Sequence, residues 1–173
     1  MDITGALTLL NIFLKKKSLQ RSFIICGGSS LILQGVISRQ TKDIDVLAPP
    51  IDEALKEAAV FVAEQLQLDK GWLNTGPDSL IRDLPADWKE RVVEVFKASH
   101  LVVYSIGRRD LLFSKFRALC DRQKDMEDII ALKPTKEELE IAANYTMDKD
   151  GNPDWGEWVT RNLDKVKRKM GYE

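Results

Sequence analysis

The sequence contains little cysteine: its 173 residues include only Cys26 and Cys120. One thiol lies in an apolar run and the other in a helical pattern, so both are expected to be buried in a reducing compartment. The scarcity excludes a framework of disulfide bonds. It predicts a cytoplasmic protein.

Long hydrophobic runs are also missing. The apolar segment near the start is only about ten residues long, too short to span a bilayer. The basic cluster 15–17 follows this segment, whereas the basic part of a secretory signal precedes the apolar part. We therefore expect neither a secretory signal nor a membrane partner.

The chain has no excess of charge of one sign, with 26 basic and 27 acidic residues and a formal net charge of −1. The balance identifies no nucleic acid, membrane or acidic partner. Hydrophobic residues make up 44% and charged residues 31%, a composition typical of folded proteins. The length suits one domain with a sizeable core.

The hydrophobic spacing alternates between helical and strand periods, which predicts an α+β fold with a small mixed sheet and flanking helices. The first predicted elements are a helix capped by Asp2 or Thr4 and a strand at "SFIICGG". A helix capped by serine at "SSLILQGVI", a strand at "DIDVLAPP" and a helix over 51–68 follow. The strands "RVVEVFK" and "LVVYSIG" are predicted to form a hairpin, and the chain is predicted to be helical from Arg109 onward. Residues 70–90 are expected to form a long loop with a short helical piece near 86–89. A capping box at Thr135 and Glu138 predicts a further helix.

A glycine-rich turn follows the first strand at Gly27 and Gly28 and leads into the next helix. Backbone N–H groups at such a corner suit an anion, and glycine allows a ligand close to the backbone. The hydroxyl groups of Ser29 and Ser30 could donate hydrogen bonds to phosphate oxygens. A serine-capped corner without a ligand is the alternative.

Two aspartates separated by one isoleucine lie in the second predicted strand. Residues two apart face the same side of a strand, so Asp43 and Asp45 are expected to project together while Ile44 and Val46 face the core. Ionised carboxylates this close need a cation, and Mg²⁺ or Mn²⁺ accepts such ligands beside substrate phosphates. Two solvated acids on an edge strand are the alternative.

This spacing, with Gly28-Ser29 followed by thirteen residues and then Asp43-Ile44-Asp45-Val46, resembles the motif of the nucleotidyltransferase superfamily related to DNA polymerase β. That superfamily includes the minimal, abortive-infection and toxin–antitoxin nucleotidyltransferases. The resemblance implies NTP phosphates on the Gly27–Ser30 turn and a divalent cation on Asp43 and Asp45.

A second patch, "KFRALCDRQKDMED", resembles the basic and acidic array of the abortive-infection type. The resemblance implies that Lys115, Arg122, Asp125 and Asp128 help to close the nucleotide site. Lys115 also borders an apolar stripe, so its stem could extend toward a cleft and its charge could neutralise a triphosphate. The stretches "GWLN" and "RRDLLFSKFRA" are similar to an uncharacterised bacterial nucleotidyltransferase-like family. A solvated helix surface is the alternative for the acidic residues.

Active members of the superfamily usually supply a third carboxylate from a later strand. Glu94 in "VVEVF" is the best candidate for this base, with Asp78 and Asp83 as weaker substitutes. Trp72 is expected in the core rather than stacked on a base, and His100, the only histidine, on the surface. A serine hydrolase is disfavoured because the lone histidine is a poor general base.

Together these residues predict a metal-dependent nucleotidyltransferase that transfers a nucleoside monophosphate from an NTP to a hydroxyl group. The acceptor could be a tRNA, a protein or a small molecule. The resemblance alone implies a toxin–antitoxin or phage-defence setting with a cognate toxin or antitoxin as partner. The alternative is a catalytically impaired nucleotide-binding or antitoxin-like module with the same fold. The domain is expected over 1–132, with a C-terminal helical extension over 133–173 packed on it.

Overall fold

The computed structural model describes residues 1–76 and 78–172, without the side chain of Asp78. The chain forms two compact units, one of Met1–Arg82 with Ala86–Gly107 and the other of Asp83–Pro85 with Arg108–Glu173. The units divide near Gly107, within the range 1–132 that the sequence predicts as one domain. The helices around residues 108–131 therefore belong with the C-terminal helices.

The described residues contain five β-strands and eight α-helices. The strands are β1 (Arg21–Cys26), β2 (Ile44–Ala48), β3 (Leu73–Thr75), β4 (Val93–Lys97) and β5 (Leu101–Ser105). The helices are α1 (Ile3–Lys16), α2 (Gly27–Leu33), α3 (Glu53–Leu66), α4 (Asp78–Asp83), α5 (Arg108–Arg122), α6 (Met126–Ala131), α7 (Lys136–Met147) and α8 (Trp155–Met170). The predicted α+β fold is confirmed.

The strands form one open, mixed sheet in the order β3-β2-β1-β5-β4. Strand β1 is central, antiparallel to β2 and parallel to β5, while β2 pairs in parallel with β3. Strands β4 and β5 form the predicted antiparallel hairpin. Because β1 runs antiparallel to β2 and Cys26 pairs with Asp45, the turn that follows β1 lies beside the start of β2 at one end of the sheet.

Helices α1 and α3 supply the apolar side chains that cover one face of the sheet. On α1 the fully buried Leu7, Leu10 and Leu14 recur at helical spacing and join Phe23, Ile25, Ile44 and Val46 from the strands in one hydrophobic core. Each such leucine contributes about 1.5–3 kcal/mol through burial. Asp2 caps α1 by accepting a hydrogen bond from Gly5 N at 3.1 Å.

The second unit is helical. Its α5 packs against α6, α7 and α8, and these helices confirm the helical pattern predicted from Arg109 onward. The capping box of α7 is confirmed, since Thr135 Oγ1 accepts from Glu138 N at 3.1 Å and Thr135 N donates to Glu138 Oε2 at 2.8 Å. No helix within the described ranges has both the length and the apolarity needed to cross a bilayer.

Two local predictions are wrong. Helix α2 begins at Gly27 with Cys26 as N-cap and no capping side chain, because Ser29 Oγ donates to Cys26 O instead of accepting from a backbone N–H. The segment 70–90, predicted as a loop with one helical piece near 86–89, also contains β3 and α4, while a 3₁₀ helix at Trp88–Arg91 overlaps the predicted helical piece. Strand β3 has only three residues, too few to show the alternation that identifies a strand.

Candidate functional site

The turn after β1 approaches β2 closely. Gly27 has φ +73°, a left-handed conformation that favours glycine. A Cβ atom built on Gly27 would lie 2.8 Å from Asp45 Oδ2, closer than real Cβ contacts allow. Asp45 also pairs with Cys26, the last residue of β1. The Asp45 carboxylate therefore lies directly against the backbone of the turn.

Asp43 lies one residue before β2 and is exposed, while Asp45 is partly buried inside the strand. Thr41 Oγ1 lies 3.4 Å from Asp43 Oδ1 and would lie 3.7 Å from a Cβ built on Gly28, so Thr41 lies between Asp43 and the same turn. Ile44 and Val46 belong to the core on the opposite face. The pair thus faces away from the core at the glycine-rich corner.

The serine hydroxyl groups point into the protein. Ser29 is 1% exposed and its Oγ donates to Cys26 O at 3.1 Å, and Ser30 is 0% exposed. Among the described residues, Ser30 Oγ has no hydrogen-bond partner. Gly27 and Gly28 are only partly buried, so the turn presents backbone rather than hydroxyl groups to its surroundings.

Asn74 is a further candidate site residue that the sequence patterns did not reveal. In the parallel pairing of β2 with β3 it stands opposite Asp45, on the other side from Cys26. The hint in the sequence was "GWLN", where a polar residue follows an apolar pair, but its partner could be found only once β3 was known.

The two aspartates fit a hard divalent cation. Mg²⁺ is commonly held by one or two carboxylates, with water and substrate phosphate in the remaining positions, and Mn²⁺ accepts the same donors. Because Gly27 has no side chain, space remains between its backbone and Asp45 Oδ2, and a Cβ atom at residue 27 would fill that space. Within the described part of the chain, no three His, Cys, Asp or Glu side chains form a metal-binding group.

The sheet does not bring Glu94 together with the aspartate pair. Glu94 lies on the edge strand β4, and β1 and β5 separate that strand from β2. Three strand spacings amount to about 14 Å. Glu94 is exposed, and its Oε2 lies 3.5 Å from Lys97 Nζ in a surface ion pair.

Lys115 forms the centre of a buried charge cluster in the second unit. Its Nζ lies 2.8 Å from Asp125 Oδ1 and 2.7 Å from Asp128 Oδ2, and Arg122 Nη2 lies 3.3 Å from Asp125 Oδ2. Lys115 is 8% and Asp128 1% exposed, so a solvated helix surface does not describe these two residues. Asp125 has φ +72°, a strained conformation for a residue with a side chain.

The other candidates have structural partners. Asp83 Oδ2 lies 3.1 Å from Arg117 Nε, and the side chain of Asp78 lies outside the described residues. Trp72 is fully buried with its indole Nε1 donating to Ala59 O at 2.9 Å, as predicted for a core residue. His100 Nδ1 lies 2.9 Å from Ser99 Oγ at the hairpin turn.

Comparison with known proteins adds one match. No curated protein and no solved structure matches the chain significantly. One family model, described as "Nucleotidyltransferase of unknown function (DUF6036)", matches residues 6–141. This range includes the glycine-rich turn, the aspartate pair, Asn74 and the Lys115 cluster. The chain therefore belongs to this family of nucleotidyltransferases of unknown function.

Proposed function

We propose that the protein is a metal-dependent nucleotidyltransferase that transfers a nucleoside monophosphate from an NTP to a hydroxyl group. The observation that carries the proposal is the closeness of the Asp45 carboxylate to Gly27, where a side chain would collide with Oδ2, together with Thr41, which lies beside both Asp43 and Gly28. The two aspartates therefore lie next to a backbone turn that can bind an anion. A cation that links carboxylates to a substrate phosphate requires this arrangement.

In this proposal Asp43 and Asp45 hold Mg²⁺ or Mn²⁺, which supplies charge neutralisation at the phosphates when bound. Gly27 and Gly28 let the triphosphate approach the backbone, and the amides of the Gly27–Ser30 turn bind its oxygens. The acids and the turn together orient the α-phosphate for in-line attack. Pyrophosphate leaves on the side of the turn.

The resemblance to abortive-infection enzymes supports a nucleotide-binding role for Lys115, Arg122 and Asp125, which we propose on that ground. The structure shows that Lys115 already shares its ammonium group between two carboxylates. Binding of a phosphate by Lys115 would therefore require the lysine to be shared further or released from one partner. A tRNA 3′ end, a protein side chain and a small molecule remain the proposed acceptors, with a toxin–antitoxin or phage-defence setting and a cytoplasmic location.

A second candidate function is a nucleotide-binding module without transferase activity. Two observations favour it. Glu94 lies on the edge strand β4, three strands away from the aspartates on β2. The residue that pairs with Asp45 on β3 is an amide, Asn74, rather than an acid. A site with this composition could bind a nucleotide and its cation yet lack a base for the attacking hydroxyl.

The two candidates are separated by incubating the protein with each α-³²P-labelled NTP, Mg²⁺, and either total tRNA or a protein lysate. The transferase predicts label on RNA or protein that disappears in Asp43→Ala and Asp45→Ala. Glu64→Ala, which removes an exposed carboxylate on α3, serves as the control and should retain transfer. Glu94→Gln tests the proposed third carboxylate in the same assay.

Transfer that persists in both aspartate variants would overturn the mechanism. NTP binding without transfer, lost in Asp45→Ala, would establish the binding module instead. A protein that neither binds NTP in the presence of Mg²⁺ nor transfers label would refute both candidates.

A further inference from the structure

We propose that Asn74 is a positioning residue for the cation site, orienting the Asp45 carboxylate and occupying with a neutral amide the place beside it where a third acid would stand. The inference rests on the proposed function, because it assumes that Asp45 binds a divalent cation. It begins from the register of the sheet, in which Asn74 is the direct strand partner of Asp45.

The Asn74 amide has two orientations with different partners. In one, Nδ2 lies 3.3 Å from Gly71 O, and the amide oxygen faces acceptors such as the Asp45 carboxylate. In the other, Nδ2 donates to Asp45 Oδ1 at 3.0 Å and to Thr75 O at 2.9 Å. We assign the second orientation, because it gives up the long 3.3 Å contact with Gly71 O for two shorter hydrogen bonds and removes the repulsion between the amide oxygen and the Asp45 carboxylate.

Because of this hydrogen bond, the two oxygens of the Asp45 carboxylate have different roles in the proposed site. Oδ1 accepts the hydrogen bond from Asn74, while Oδ2 is the oxygen that lies next to the Gly27 backbone. Holding Oδ1 fixes the rotation of the carboxylate about its last bond. Asn74 therefore sets the direction in which Oδ2 meets a cation at the turn, as outer-shell partners do in other metal sites.

The position of Asn74 is itself well determined. Ile44 N donates to Trp72 O at 2.6 Å and Gly76 N donates to Val46 O at 2.7 Å, so hydrogen bonds hold β3 on both sides of Asn74. Trp72 is anchored to α3 through Ala59 O. A Cβ built on Gly76 would lie 3.4 Å from Asp45 Cβ and 3.3 Å from Cys26 Sγ, so the chain packs tightly around the acid.

An amide at this place also limits the negative charge of the site. Asp43 and Asp45 together balance one divalent cation, and a third acid would leave excess charge for a second ion. The site is therefore suited to a single cation held by the protein, with further neutralisation coming from other groups.

The test measures Mn²⁺ binding to the full chain by electron paramagnetic resonance, without any activity assay. Asn74→Ala is expected to raise the Mn²⁺ dissociation constant roughly 10-fold, while the wild type binds one ion. Mn²⁺-dependent increases in melting temperature provide a second measurement that does not depend on turnover. Melting temperatures without metal show whether each variant folds.

Asn74→Asp and Thr75→Asp form a matched pair, because both add one acid but on opposite faces of β3. Asn74→Asp places a carboxylate beside Asp45, so its melting temperature should fall without metal and rise more than that of the wild type with Mn²⁺. Thr75→Asp, on an exposed residue, should bind Mn²⁺ as the wild type does.

The outcomes distinguish this inference from the proposed function. Loss of Mn²⁺ binding in Asp45→Ala, together with unchanged binding in Asn74→Ala, would refute a positioning role and leave the cation site intact. Unchanged Mn²⁺ binding in both aspartate variants would refute the cation site itself. If Asn74→Asp and Thr75→Asp changed the melting temperature and the Mn²⁺ affinity equally, the added negative charge alone would explain the effect. That result would also overturn the inference.

Discussion

The distance between Asp45 and Gly27 is set by the absence of a side chain on Gly27. Asp-Ile-Asp and the glycine-rich turn were both recognisable in the sequence, because period-two alternation and glycine each have a local meaning. The proximity of Asn74 to Asp45 was not, since it depends on which strand pairs with β2. That pairing is a long-range choice that no local pattern encodes.

Replacing Gly27 with alanine tests the close contact. Gly27→Ala forces a methyl group toward Asp45 Oδ2 and requires a left-handed conformation that costs about 1–2 kcal/mol. We expect lower stability and weaker Mn²⁺ binding. Gly35→Ala is the matched control, because Gly35 has φ +71° and no atom within 4 Å of a Cβ built on it.

Thermal denaturation and Mn²⁺ titration of both glycine variants provide the comparison. The two should lose similar stability from backbone strain, but only Gly27→Ala should lose affinity for the ion. Equal affinities in the two variants would show that the turn and the carboxylate are not coupled.

The charge cluster in the second unit permits another test of a single residue. Lys115→Met leaves Asp125 and Asp128 without their shared ammonium group, and breaking a buried pair costs about 3–5 kcal/mol. Lys56→Met removes the exposed partner of Glu53 and should cost less than about 1 kcal/mol. Urea unfolding curves of the two variants measure the difference.

Adding Asp128→Leu to Lys115→Met should recover part of the lost stability, because it removes a buried carboxylate (1% exposed) that has lost its lysine partner. A Lys115→Met protein as stable as Lys56→Met would contradict a structural role for the cluster. It would favour Lys115 as a residue kept for ligand binding.

At the scale of elements, the hydrophobic period identified most helices and four of the strands. Helices α1, α3, α7 and α8 were predictable because their apolar stripes or caps are local signals. Strand β3 was missed because it is short and its identity comes from pairing with β2. The serine cap of α2 was predicted wrongly, since Ser29 donates its hydroxyl hydrogen to the preceding carbonyl.

Helix α7 offers a pH-dependent test at its N-terminus. A hydrogen bond from Arg108 lowers the pKa of Glu138 below its ordinary value of 4.5. Partial burial acts in the opposite direction, and the hydrogen bond from the Thr135 backbone N–H lowers the pKa further. A lowered pKa in the folded state means that the stabilisation is present above pH 4.5 and is lost as the pH falls through the folded pKa.

Glu138→Gln keeps the capping geometry but removes the charge paired with Arg108. At pH 7 it should destabilise the protein by less than the roughly 1 kcal/mol expected for loss of the cap in Thr135→Ala. The difference from the wild type should shrink below pH 4.5. Unfolding curves between pH 3 and 7 measure it, and a constant difference would contradict the assigned pKa shift.

At the scale of the whole molecule, each compact unit contains one cysteine. Cys26 lies in the first unit and Cys120 in the second, and each is 1% exposed. Burial raises the pKa of the Cys120 thiol to about 12, partly opposed by a hydrogen bond with Asn162 and by the charge of Arg117. The reactive thiolate is therefore scarce at pH 8.

Cys26→Ala and Cys120→Ala each leave a single thiol that reports on one unit. We expect both thiols to resist a disulfide reagent at pH 8 until denaturant opens the surrounding unit. Reaction rates followed across a urea series would show whether the units open together. Rapid labelling of either thiol in native buffer would contradict its burial.

The hydrogen bond from the Trp72 indole to α3 has a consequence for divergence within the family. Trp72 is tied to a helix backbone and lies two positions before Asn74, so the amide beside Asp45 inherits its placement from the core. A relative in which α3 is displaced at this point would therefore also place the residue beside the carboxylate differently.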